Sequence, residues 1–351
     1  MTLRLACPAF LAFSLSFSRG PVLLSDMVIH IEAKEFWIFY GKWIRMDKEK
    51  RYSDYNGYLR KLFGMRVQKI SVDAGLSCPN RDGVLSRRGC IYCNAKGSGS
   101  GAFARGLSIT QQVEAGRIGM IKKYKAKKFL AYFQSYTNTY TSCAHMKALY
   151  DEALACEGMV GMAIGTRPDC VDEQKIALIQ SYTNKYLVWL EYGLQSVHDT
   201  TLSLINRGHD FKAFVRAVDM TRDRGINICV HVILGLPGED RAMMLETARV
   251  LANMGINGVK IHLLYVIKDT PLDLIWQRGD YTCMEQKDYV NMVCDFLERI
   301  PKEIIIQRIT GDPHGEELRA PAWAGRYRET FNMIQHTLEK RESFQGQIIH
   351  P

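Results

Sequence analysis

"CPNRDGVLSRRGCIYC" (residues 78–93) carries three cysteines, Cys78, Cys90 and Cys93, in the spacing C-x11-C-x2-C. A structural zinc site is usually closed by four ligands, and a disulfide framework uses an even number of cysteines. A set of three needs another explanation, and its place in the chain supplies part of one. The stretch directly follows "VQKISV" (67–72), a short apolar run that reads as a strand.

Further apolar runs follow at 129–133, 160–165, 187–194, 226–236, 258–264 and 304–310. Amphipathic segments lie among them at 108–125, 145–156, 172–182, 211–224, 240–254 and 285–299. Repeated strand–helix alternation builds a parallel sheet covered by helices. The expected fold is a partial (β/α)6 TIM-like barrel with a C-terminal α/β extension; an open doubly wound sheet is the competitor. The cysteine loop would then leave the C-terminal end of the first strand, where barrels carry their chemistry.

Composition sets the outer bounds. The chain has 351 residues, 47% of them apolar, enough for a full core. Lys and Arg number 46 against 37 Asp and Glu, a net +9 that favours acidic partners only mildly at this length. The cysteines outside the trio are scattered without paired spacing, which reads as free thiols in a reducing cytoplasm. The N-terminus reads differently: Arg4 precedes an apolar run, Leu5 to Phe17, too short to span a bilayer and shaped like a signal-peptide core. "MDKEKRYSDY" from Met46 looks like an ordinary cytosolic start, so residues 1–45 are expected to be an upstream-start or unstructured segment. The expected division is 46–265 for the core and 266–351 for the extension, with no membrane segment.

Three thiolates can hold a [4Fe–4S] cluster and leave its fourth iron open to a cofactor. Zinc with a distant fourth ligand, and three unligated thiols, are the alternatives.

The trio loop, with the aromatic Tyr92 before its last cysteine, resembles the radical S-adenosylmethionine (SAM) superfamily. The wide gap between Cys78 and Cys90 is similar to the branch containing the elongator catalytic subunit and the oxygen-independent coproporphyrinogen oxidase. The ordered motifs "YNGYLRKLFG", "SCPNRDG", "GSGSGAF", "YFQSYTNTY", "GTRPDC", "LEYGLQSVHDTTLSLINRGHD", "HVILGLPGED" and "IQRITGDP" resemble the YhcC-like radical SAM proteins between about residues 51 and 325. The resemblance implies a [4Fe–4S] cluster on Cys78, Cys90 and Cys93, with SAM chelating the open iron. It also implies an electron donor of the flavodoxin or ferredoxin type, and tRNA (wobble uridine) modification. A small-molecule or protein substrate, or a non-catalytic iron–sulfur or zinc protein, are the rival functions.

Other motifs carry readings of their own. "VHVILGLPGED" is a strand ending in Gly235, Pro237 and Gly238, and glycines there let backbone approach a ligand; by resemblance this strand packs along the adenine. In "LEYGLQS", Glu191, Gly193 and Gln195 share one strand face, and polar groups there need partners. By resemblance Gln195 holds the ribose hydroxyls and Arg207 the methionine carboxylate, a bidentate task suited to a guanidinium; for Arg207 the structural alternative is a helix-end cap. His231 and His262 fall mid-strand, as core residues or as substrate contacts. Where the superfamily usually shows a Gly-Gly-Glu-like stretch for the SAM amino group, this chain has "YFQSYTNTY", leaving Gln134, Thr137 and Asn138 as candidates. Arg81, Arg87 and Arg88 are the candidate phosphate contacts in the cysteine loop.

Overall fold

The computed structural model describes residues 3–4, 14–15 and 50–348, except 95, 96, 98, 100 and 314. The chain forms two compact units, Met1–Glu49 and Lys50–Pro351. In the first, Leu3–Arg4 pairs antiparallel with Ser14–Leu15; the expected start at Met46 lies outside the described residues. Among the described residues no helix is long and apolar enough to cross a membrane.

The second unit carries one seven-stranded parallel sheet. Its strands are β1 (Val67–Val72), β2 (Lys128–Phe133), β3 (Met159–Thr166), β4 (Leu187–Gln195), β5 (Asn227–Leu234), β6 (Gly258–Leu263) and β8 (Ile305–Arg308). The order runs β8-β6-β5-β4-β3-β2-β1, and a two-residue β7 (Val266–Ile267) pairs with β9 (Leu318–Ala320) apart from it. The six expected units are present, and the seventh strand comes from the stretch expected as the extension, so that stretch completes the core sheet.

The sheet curls. Lys69 on edge strand β1 donates to Gln307 Oε1 on the opposite edge strand β8, 2.7 Å away. No ladder joins these two edges. Instead the chain before helix α1 (Tyr55–Phe63) bridges them: Ile306 N on β8 donates to Ser53 O at 2.8 Å. Helix α1 starts on Asp54, whose carboxylate accepts from the Asn56 and Gly57 amides, and stops at left-handed Gly64. Its Tyr55 and Leu59 pack with Val67, Leu130 and Trp189 as an apolar floor.

Period-2 alternation sorts each strand's side chains between helices and lumen. On β4, Val188, Leu190, Tyr192 and Leu194 join the main core, and so do Ile228, Val230, Val232 and Leu234 on β5. Glu191, Gly193, His231 and Ile233 on the other face line a cavity. The outer face is covered by α2 (Ile109–Tyr124), α3 (Cys143–Leu154), α4 (Glu173–Gln180), α6 (Phe211–Thr221), α7 (Arg241–Ala252) and α9 (Gln286–Leu297). Short α5 (Asp199–Leu204) and α8 (Pro271–Gln277) border the mouth side, and α10 (Tyr327–Lys340) packs on α9.

Candidate active site

The cysteine loop is a built structure. Arg81 N and Asp82 N turn back to Cys78 O at 2.8 and 3.1 Å, Leu85 N reaches Pro79 O at 2.8 Å, and Gly89 N reaches Asn80 O at 2.8 Å. Gly89 has φ +69°, a conformation that favours glycine, and a side chain there would also crowd Arg81. The loop docks on the segment after α5. Asn80 Nδ2 donates to Asn206 O and Asn206 Nδ2 to Gly89 O, each 2.6 Å, and Ile91 N donates to Ile205 O at 3.1 Å.

All three sulfurs belong to free thiols, Cys90 buried and Cys78 and Cys93 partly so, on the wall of a cavity of about 950 Å³. Arg207 Nη1 and Asn80 Nδ2 each lie 3.6 Å from Cys90 Sγ, and Arg81 Nη1 lies 3.3 Å from Cys93 Sγ. Cationic and amide donors aimed at sulfur fit thiolates bearing iron. A single tetrahedral zinc with ~2.3 Å bonds to sulfur would hold the sulfurs about 3.8 Å apart. Among the described residues the trio does not form a group whose ligand atoms all lie within 4.8 Å, which fits a larger guest.

The residues expected at SAM gather beside the trio. Tyr92, Gln195 and Arg207 line the same cavity. Gln195 takes φ +81° where the β4–β5 register slips, and its Nε2 folds back over Gly193. Arg207 is buried, with Nε and Nη2 both on Gly193 O at 3.2 and 2.6 Å. A Cβ at position 193 would sit 2.7 Å from Arg207 Nη2 and 3.0 Å from Gln195 Nε2, so both side chains depend on a glycine there. Behind them Arg167, fully buried, pairs bidentately with Asp169 and donates to Arg207 O at 2.7 Å. Gly235 and Gly238 take φ +84° and +80° in the turn after β5, against Met284 and Leu204 respectively. They shape that turn outside the cavity wall, which at this point is Ile233.

Of the three candidates for the SAM amino group, Gln134 and Thr137 face the cavity. Asn138 is committed elsewhere, its Nδ2 donating to the Phe133, Ser135 and Gly165 carbonyls. Gly97 and Gly99 of the "GSGSG" stretch also line the cavity. Cys170 is buried, and desolvation pushes its thiol up to about 12, as expected of an inert cysteine.

The lower lumen holds a charge network that sequence reading missed. Glu191 is fully buried; Lys69 Nζ meets Oε1 at 2.9 Å, while His231 Nε2 at 2.9 Å and Lys260 Nζ share Oε2. Lys260 also donates to Tyr132 OH at 3.0 Å. Burial alone would raise the Glu191 pKa, but Lys260 and Lys69 overcome it and hold the carboxyl well below its usual range. Glu191, Cys229 and His231 have the spacing of a metal site. Two ammonium groups already occupy the carboxylate, and burial raises the Cys229 thiol far from its ionised form, so the cluster is a closed ion network.

His231 and His262 both line the cavity, their ring centroids 5.2 Å apart. Burial drives His231 down to about 4, aided by Lys260, and holds His262 well below its usual value. Native protein therefore binds fewer protons than unfolded protein between pH 4 and 6.5, and stability falls as pH falls through that window. The expected loss for each histidine is about 1.4 kcal/mol per pH unit. Denaturant melts of apo-protein at pH 7 and pH 5 check this; equal stability at both would show that the histidines do not titrate as buried groups.

A model of the radical SAM superfamily matches residues 85–251, and one of the radical SAM C-terminal domain matches residues 256–340. Elp3 of Methanocaldococcus infernus, solved with an N-terminal deletion, shares the fold at TM-score 0.63 and 18% identity, covering 80% of this chain and 64% of that one. Fold, cysteine loop and family models together define a radical SAM enzyme, a class that implies SAM, a [4Fe–4S] cluster and an electron donor. YtqA of Bacillus subtilis is 42% identical over 300 residues, 86% of this chain and 93% of YtqA. YhcC of Escherichia coli K12 is 37% identical over 279 residues, 79% of this chain and 89% of YhcC. The chain belongs to the YhcC/YtqA family of radical SAM proteins. More distantly, the tRNA uridine(34) acetyltransferase of Methanocaldococcus jannaschii is 26% identical over 156 residues, 44% of this chain and 28% of that one.

Proposed function

We propose that the protein is a cytoplasmic radical SAM enzyme that modifies tRNA at a wobble uridine, with an external flavodoxin or ferredoxin as reductant. The observation that carries the chemistry is that Cys78, Cys90, Cys93, Gln195, Arg207 and the lumen pair His231 and His262 all line one cavity. Cys78, Cys90 and Cys93 hold the cluster, and Arg207 and Gln195 hold SAM at its carboxylate and ribose, with Tyr92 on the same wall. Gly235 and Gly238 contribute through the turn they shape. Bound there, the cluster and SAM would supply radical chemistry after one-electron reduction. The chain's own part is to orient the substrate against His231 and His262 and to keep water out of a lumen closed below by Tyr55 and Trp189.

Arg207→Ala should weaken SAM binding about ten- to a hundredfold, since a bidentate charged contact is worth ~1.5–3 kcal/mol, while iron content stays unchanged. SAM titration of reconstituted protein checks it. Unchanged affinity would leave Arg207 as a cap on Gly193 O.

The tRNA assignment is supported by the likeness to the tRNA uridine(34) acetyltransferase, by the mild basic balance, and by Arg87 and Arg88, both exposed on the cysteine loop at the mouth. Lys122, Lys123, Lys125 and Lys127 are exposed too, but they precede β2 and so lie toward the opposite end of the sheet. Bulk tRNA should bind with a log–log salt slope near −0.7 to −0.9 for each phosphate contact. Arg87→Ala combined with Arg88→Ala should flatten it by about one to two. Loss of a modified wobble nucleoside in a deletion strain would identify the product. Salt-insensitive or absent tRNA binding would move the substrate to a small molecule or a protein.

A further inference from the structure

Arg81 was expected among the phosphate contacts, but its side chain turns inward. Its Nη1 donates to Asn94 O at 2.7 Å and to Cys93 O and Cys93 Sγ at 3.3 Å each. The other two loop arginines, Arg87 and Arg88, are exposed. The donors around the trio are therefore unevenly shared: Cys93 faces the Arg81 guanidinium, and Cys90 faces the Arg207 guanidinium and the Asn80 amide. Among the described residues no donor reaches Cys78 Sγ. Glu317 accepts from Asn94 Nδ2, one residue beyond Cys93, at 3.0 Å.

We propose that Arg81 sets the reduction potential of the cluster held by the trio, raising it through its charged hydrogen bond to Cys93 sulfur. An electron added to an iron–sulfur cluster spreads onto its thiolate sulfurs. A fixed N–H donor and a positive charge beside one of them favour the reduced form. The effect is large where water is scarce, and Arg81 is packed between Gly89 and the chain at Cys93 and Asn94, only partly exposed. Arg207 faces a different sulfur: its Nη1 lies 3.6 Å from Cys90 Sγ, while Nε and Nη2 are on Gly193 O, which leaves Arg81 as the guanidinium at Cys93.

This inference rests on the cluster assignment made above, and the experiment separates the two. Wild type, Arg81→Lys and Arg81→Gln are reconstituted anaerobically with iron and sulfide, assayed for iron, and titrated by EPR against a low-potential reductant, with no SAM or substrate present. The expected result is full iron in all three proteins, with the midpoint potential shifted downward in Arg81→Gln and by a smaller amount in Arg81→Lys, which keeps the charge but loses the planar donor. A loop clamp without redox influence would not move the midpoint, so equal potentials at full iron would overturn the inference and leave the cluster assignment standing. Failure of both variants to hold iron would also overturn it, making Arg81 a structural tie between Cys93 and Asn94. A wild type that takes up no cluster would overturn the assignment of the trio, and this inference with it.

Discussion

Serine in place of Cys78, Cys90 or Cys93 is expected to leave anaerobically reconstituted protein without its cluster, where wild type holds about four irons and absorbs broadly in the visible. The trio supplies every protein ligand in this reading, so each substitution leaves two-point attachment. A serine hydroxyl does not ionise as a thiol does, and the donors aimed at Cys90 and Cys93 are placed for charged sulfur. Cys170→Ser is the control. That thiol is buried off the cavity wall with its pKa raised to about 12, and its replacement should leave iron content unchanged. Wild-type iron in all three trio variants would show that the cluster sits elsewhere or does not exist.

Glu191→Gln is expected to cost about 3–5 kcal/mol of stability, the loss typical of removing one partner from a buried ion network. The two side chains have nearly the same shape, so no cavity accounts for the change. What remains is two ammonium groups, Lys69 and Lys260, facing a neutral amide in the closed lower lumen. The variant should recover part of the loss as pH rises. Lys69 already has its pKa lowered to about 8 by burial with Glu191 present, and without that carboxylate it gives up its proton sooner. Urea unfolding of apo-protein at pH 7 and pH 9 measures both effects. A loss below about 1 kcal/mol would mean that the network does not help to close the lumen.

The seven sheet strands were legible within a few residues, because parallel strands buried on both faces read as continuous apolar runs whatever they pack against. Helix α3 begins at Cys143, two residues ahead of the expected segment, because Ser142 caps it. Helices α1, α5, α8 and α10 went unread, although two of them carry a local signal: Asp54 and Gly64 bracket α1, and Thr270 with Pro271 opens α8. The trio was also legible as a motif, since spacing is a property of contiguous sequence, and so was the strand face of Glu191, since side chains alternate. The partners of Glu191 were not. Lys69, Lys260 and His231 lie 122, 69 and 40 residues away, and only the curl of the sheet brings three other strands onto one carboxylate. A lysine within "VQKISV" or "GVKIHLL" was the available sign, because a lysine in a buried strand must be paired. The same holds for Arg81. Sequence placed it in a basic loop, and the fold of that loop turned it from solvent toward sulfur. The chain by itself determined most of the elements and offered the candidate residues for the chemistry. The tertiary structure decided which charges those residues face, because that depends on contacts between strands far apart in sequence.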